Sequence, residues 1–266
     1  MSNSPLRVPI YQVDAFSPRR FGGNPAAVMV LPEYFPDRLL QAIAQENNLS
    51  ETAFLVNRDG SWHLRWFTPT VEVPLCGHAT LASAWVITEQ LQPGCERVAF
   101  QTASGTLTVQ RRSNRFIMDF PVRRAMPVKP PADLEAALGV DAEIVLRDPV
   151  NYVAVLPSAD SVRRLKPDLS AIARLDASGV VVTAPGDGGY DCVSRYFAPA
   201  KGIEEDPVTG GAHCALAPYW AARLGKAEVH AFQASPRGGE LVCRVAGDRV
   251  ELEGACAFYL EGIVEL

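Results

Sequence analysis

The sequence predicts an α+β protein made of two similar lobes, and three observations carry that reading. Short β-like runs dominate the chain, with only a few amphipathic helices between them. One block occurs twice, as LRWFTPTVEVPLCGHATLASAW and as SRYFAPAKGIEEDPVTGGAHCALAPYW. The length of 266 residues, 48% of them hydrophobic, is enough for two cores.

Taken in order, the β-like runs are IYQVDAF, AAVMVL, TAFLV, WHLRWF, TLTVQ, FIMDF, YVAVL, GVVVTA, CVSRYF, LVCRV and RVELEG. Two hairpin turns are expected at NRDGS and AGDR, because Asp-Gly and Gly-Asp tolerate the positive φ of tight turns. In FPDRLLQAIAQENNL, Leu39, Leu40, Ile43 and Ala44 share one helical face, and Pro36-Asp37 suits a helix start. Two further helices are expected after Gly77 and Gly210. The proline-rich PVRRAMPVKPPADLEAALGV reads as a linker before a helix near Ala132. These boundaries predict a first lobe over 1–124, completed by the last strand at about 255–266, and a second lobe over 125–254.

Within the repeat, Arg65-Trp66-Phe67-Thr68-Pro69 matches Arg195-Tyr196-Phe197-Ala198-Pro199. After a three-residue insertion, Cys76-Gly77 matches Thr209-Gly210, and each pair leads into an alanine-rich helix. Helix starts expose N–H groups without intrahelical partners, at the positive end of the helix dipole. Such a start binds carboxylate or phosphate, and glycine lets a ligand approach the backbone. Two such junctions related by a pseudo-twofold axis predict a receptor for a small anionic substrate in a cleft between the lobes. Ordinary helix capping is the plainer alternative.

Two carboxylates break the symmetry. Glu51, in NLSETAF, faces Ser178 or Gly179 in the alignment, and Asp206 faces Val73 or Pro74. A carboxylate held in a low-dielectric cleft is suited to giving and taking a proton.

Composition narrows the partners. A formal charge of -5 with interspersed signs offers no basic patch for nucleic acid. No window approaches the roughly 18 uninterrupted apolar residues of a membrane span. The first residues, MSNSPLRVPIYQVDAF, lack a basic segment ahead of an apolar run, so no signal peptide is expected. Six scattered cysteines, at 76, 95, 192, 214, 243 and 256, fit a reduced, cytoplasmic protein.

The motifs GGNPAAV, NLSETAF, RWFTP…EVPLCGHATLASA and SRYFAP…EDPVTGGAH, in this order across essentially the whole chain, resemble the PhzF-like family of phenazine biosynthesis-like proteins. LGKAEVHAFQASPRGGEL strengthens the likeness. The resemblance implies the diaminopimelate epimerase-like fold: two pseudo-symmetric lobes, each a β-barrel around a central α-helix. It implies a cofactor-independent isomerase that moves a proton on a small carboxylate, and a homodimer. Glu51 matches the family's proton-carrying glutamate, with His78 and Asp206 binding and polarising the substrate. Asn24, Ser50, Cys76, Gly77, Thr209, Gly210 and Gly211 would bind substrate. The phenazine isomerase has serine where this chain has Gly211, a departure that bears on whether the phenazine intermediate is the substrate.

Cys76 matches a position that carries a catalytic thiol in racemase relatives, while the partner position is Thr209, which cannot act as a second thiol base. A single-thiol epimerase or dehydratase is therefore the rival enzyme reading, and a non-catalytic binding protein is the other alternative. Cys76 and His78 with His213 and Cys214 superficially suit zinc. Cys-x-His is not a usual zinc spacing, however, and adjacent helical side chains diverge by about 100°; no metal is expected.

Overall fold

A computed structural model describes residues 6–266. The chain forms two compact units, one running to Met118 and taking in Gly254–Leu266, the other Asp119–Glu253.

The first unit contains β1 (Arg7–Ala15), β2 (Asn24–Leu31), α1 (Asp37–Asn47), β3 (Glu51–Arg58), β4 (Ser61–Phe67), β5 (Glu72–Val73), α2 (Gly77–Val86), β6 (Arg97–Thr102), β7 (Gly105–Arg112) and the start of β8 (Arg115–Pro121). The second contains the end of β8, then β9 (Met126–Pro127), α3 (Leu134–Leu138), β10 (Ile144–Arg147), β11 (Asn151–Val155), α4 (Ala159–Arg164), α5 (Leu169–Ile172) and β12 (Gly179–Pro185). It continues through β13 (Cys192–Ala198), β14 (Ile203–Asp206), α6 (Gly210–Leu224), β15 (Glu228–Gln233), β16 (Gly239–Ala246) and β17 (Arg249–Glu265), whose last residues belong to the first unit.

In the first unit, β1, β2, β3, β4, β6, β7, β8 and β17 pair in turn into a closed eight-strand barrel. The pairs β2–β3 and β4–β6 are parallel and the others with a printed register antiparallel. The second unit repeats the pattern: β11–β12 and β13–β15 are parallel, while β12–β13, β15–β16 and β16–β17 are antiparallel. Each unit thus carries the strand, turn, strand, loop and helix order that the repeat predicts. The helices show why they lie inside: GHATLASAWV is small and apolar on every face, and seven consecutive residues from His78 to Ala84 are buried. A helix without a polar face must be enclosed.

The Asp59-Gly60 turn joins β3 to β4 with positive φ at both residues, and Gly247 turns β16 into β17. In α1, Leu40, Ile43 and Ala44 are buried, as their spacing predicts. The expected helix near Ala132 starts at Leu134 and lasts one turn and a half before Gly139 ends it in the left-handed conformation.

The repeated arginine is a brace. Arg65 donates twice to Glu72, from Nε and Nη2 at 2.7 Å each, and once to Asp37 at 2.9 Å. Arg195 donates to Glu205 at 2.7 and 2.8 Å and to the carbonyl of Leu165 at 2.7 Å. Glu72 stands four residues before Cys76 and Glu205 four before Thr209, so each pair ties a barrel strand to the loop that enters the enclosed helix. Such forked pairs fix geometry as well as charge. Arg195 and Glu205 have side chains only 11% and 16% exposed, against 39% for Glu72. Glu205→Gln is therefore expected to cost about 3 kcal/mol and Glu72→Gln about 1 kcal/mol or less, measured by chemical denaturation.

Candidate functional site

Three chain segments meet at one end of the first barrel. Parallel pairing of β2 with β3 brings Glu51, the first residue of β3, alongside Ala26, two residues after Asn24 opens β2. Antiparallel pairing sets Asn24 opposite Ala15. The approach to Asn24 depends on Gly23, whose φ is +66° and whose Cβ, if present, would lie 2.2 Å from the Ala15 carbonyl oxygen; no other residue fits there. The third segment is the start of α2, with Cys76 as its extended N-cap and Gly77-His78 in its first turn.

His78 is the centre of this cluster. Its Nδ1 lies 3.1 Å from the amide nitrogen of Asn24 and 3.5 Å from Sγ of Cys76. Its Nε2 lies 3.2 Å from Oε2 of Glu51. Burial holds the ring neutral, with a pKa lowered to about 3. With the amide nitrogen of Asn24 towards the ring, Asn24 donates to Nδ1, and the single ring proton belongs on Nε2, facing the Glu51 carboxylate. Asn24 is fully buried, Cys76 and His78 nearly so, and the Glu51 side chain is 12% exposed. His78 thus lies between Asn24 and Cys76 on one side of its ring and Glu51 on the other. Ser50 precedes Glu51 in the turn after α1 and is half-buried.

The second unit assembles Asp206, Thr209, Gly210 and Gly211 around the start of α6. Asp206 ends β14, and Thr209 is the extended N-cap. The Thr209 hydroxyl donates to Oδ2 of Asp206 at 2.5 Å. A residue that sequence reasoning missed holds both: Gln233, fully buried at the end of β15. Its amide nitrogen donates to the Asp206 carbonyl at 2.7 Å and to the Thr209 hydroxyl at 3.1 Å. Its amide oxygen accepts from the Thr209 N–H at 2.9 Å. Nothing in the run VHAFQAS marks this glutamine; only the parallel pairing of β15 with β13 brings it there. Beside Gly211 lies Arg123, whose guanidinium would stand 3.4 Å from a Cβ at that position. A serine here would lie in contact with that group.

The four-residue zinc set weighed from the sequence does not gain support from local chemistry in the second unit. His213 directs Nδ1 at the Thr209 carbonyl, 2.8 Å away, and Cys214 contacts the Gly210 carbonyl. Burial raises the Cys214 thiol to about 11 and lowers His213 to about 4. Both side chains serve the helix.

The profile of the phenazine biosynthesis-like proteins, PhzC-PhzF, matches residues 13–262. The chain belongs to this family. A Pseudomonas aeruginosa protein named as an uncharacterized isomerase is 48% identical over 262 residues, covering 98% of this chain and all of that one. A PhzF-family crystal structure from Enterococcus faecalis superposes with a TM-score of 0.93 at 42% identity, covering 98% of this chain and 100% of that one. A hydroxyproline epimerase from Agrobacterium vitis shares the fold, with a TM-score of 0.62 at 12% identity, over 98% of this chain and 93% of that one. The family and fold that the motifs imply are therefore those of this chain. Among the described residues, no helix is long and apolar enough to cross a membrane.

Gln233→Leu should remove three hydrogen bonds at once and leave buried polar groups of Asp206 and Thr209 unmet. A stability loss of at least about 2 kcal/mol is expected in urea unfolding.

Proposed function

We propose that the protein is an isomerase that moves a proton on a small carboxylate substrate, with Glu51 as the acid–base group and no organic cofactor. The observation that carries this reading is the contact between a nearly enclosed carboxylate and a buried neutral imidazole. The P. aeruginosa relative named as an isomerase supports the reaction class.

In the reaction, the Glu51 carboxylate takes a proton from a carbon of the substrate, and the C–H electron pair moves into the substrate's π system. The Glu51 carboxylic acid then returns the proton at a second carbon, so the double bond is displaced and no atom is gained or lost. The His78 Nε2–H steadies the carboxylate between the two steps, and Asn24 holds that ring proton in place. The first-turn N–H groups of α2, at Gly77 and His78, have no intrahelical acceptor and suit the substrate carboxylate. We assign Asp206, Thr209, Gly210 and Gly211 to substrate binding as part of the same proposal. Gly211 in place of serine is the departure that bears on whether that carboxylate is the phenazine intermediate.

One observation favours a second reading, the 3.5 Å approach of the Cys76 sulfur to Nδ1, which is the arrangement of an activated thiol. Deuterium wash-in separates the two. In D₂O with a panel of cyclic and amino carboxylates, Glu51→Gln should lower exchange by about 10²–10⁴-fold, and Cys76→Ala should largely keep it. Exchange that survives in Glu51→Gln and disappears in Cys76→Ala would transfer the chemistry to the thiol.

A further inference from the structure

The acid–base cluster of the first unit has a donor set that fits more than protons. Glu51, Cys76 and His78 each present one ligand-type atom, and these atoms lie within 4.8 Å of one another. In a tetrahedral zinc site, bonds of about 2.1 Å to nitrogen and 2.3 Å to sulfur set those two donors about 3.6 Å apart, and nitrogen and oxygen donors about 3.4 Å apart. The His78–Glu51 separation, from Nε2, is 3.2 Å and already of that size, whereas the 3.5 Å approach of Cys76 is to Nδ1. The two approaches involve opposite ring nitrogens, so closing all three donors on one ion needs one side chain to change rotamer.

Charge and burial agree. A thiolate and a carboxylate together cancel the charge of a divalent cation, which removes the main penalty of holding an ion in a nearly enclosed place.

We propose that Glu51, Cys76 and His78 bind one thiophilic divalent cation of the zinc type, and that the bound ion silences the acid–base centre. Coordination is through Nε2 of His78. Asn24 then turns its amide so that its oxygen accepts from Nδ1–H, the outer partner that metal-bound imidazoles usually keep. The Cys76 thiol proton leaves to solvent as the metal–sulfur bond forms, Glu51 binds as the carboxylate, and water completes the shell. No oxidation or reduction occurs. Binding of the ion stands or falls separately from the isomerase reading, while the silencing of the acid–base centre rests on that reading. The donor set also differs from the one weighed in the sequence: Glu51 replaces His213 and Cys214.

The test is titration of the full-length, metal-free protein with Co²⁺ under reducing conditions, watching for thiolate-to-cobalt charge-transfer absorption in the near ultraviolet. One equivalent of Co²⁺ is expected to develop the band, and Zn²⁺ to abolish it by displacement. Cys76→Ser should lose the band, while Glu51→Gln and His78→Gln should weaken binding at least about tenfold; circular dichroism checks that each variant is folded. Absence of the band in the wild type overturns the proposal. So does Co²⁺ binding that Cys76→Ser leaves unchanged, the behaviour expected if the exposed Glu228–His230 pair held the ion. Neither result touches the deuterium exchange that tests Glu51 as the base.

Discussion

An enclosed helix has to begin somewhere, and its first N–H groups have no partners of their own. This constraint organises the first unit. Because α2 is apolar on every side, it runs through its barrel, and its start must lie where polar groups gather at the barrel end. Asn24 and Glu51 stand there because parallel strands begin at the same end of a sheet. His78, one residue into the helix, is the side chain that can touch both. The approach of His78 to Glu51 therefore follows from barrel topology and from the composition of a single helix.

The same constraint has a different solution in the second unit. Thr209 replaces Cys76 at the helix cap, and a glutamine from a neighbouring strand supplies the contacts. There the polar groups are bound into a tight set of four hydrogen bonds among Asp206, Thr209 and Gln233. That makes a fixed turn. In the first unit the central group is an imidazole, which can pass its proton on. The two copies share the scaffold, the arginine braces and the helix starts, and differ at the residues that cap the helices.

Much of this was legible in the sequence. The repeat pointed to two similar lobes because Arg-aromatic-Phe…Pro and the Gly-helix junction are short, local and chemically unusual, whereas the parallel and antiparallel pairing of the strands had no local mark. Glu51 and Asp206 stood out because neither has a counterpart in the other copy. Glu72 and Glu205 correspond when four residues are counted back from Cys76 and Thr209, but their pairing with the repeated arginines shows only in the fold. Gln233 was not readable: a single glutamine in a strand has no spacing to reveal it, and its contacts span more than twenty residues. The strand that ends the chain is far longer than RVELEG suggests, since its extent is set by pairing with β1 and β16, not by local pattern. The short helices α4 and α5 went unmarked for a related reason, being capped by Ser158 and Asp168 but too brief to show a period.

What the account most depends on is the proton of His78. Nitrogen-15 NMR of the imidazole side chains, followed with pH and assigned with a His78→Gln variant, observes it directly. The account predicts a neutral ring with its proton on Nε2 from pH 8 down to about pH 4, consistent with a pKa lowered to about 3, and a shifted Nε2 resonance in Glu51→Gln. An imidazolium at neutral pH, or a neutral ring protonated on Nδ1, would contradict it, because Nε2 would then no longer present to Glu51 the single proton on which the proposed chemistry rests.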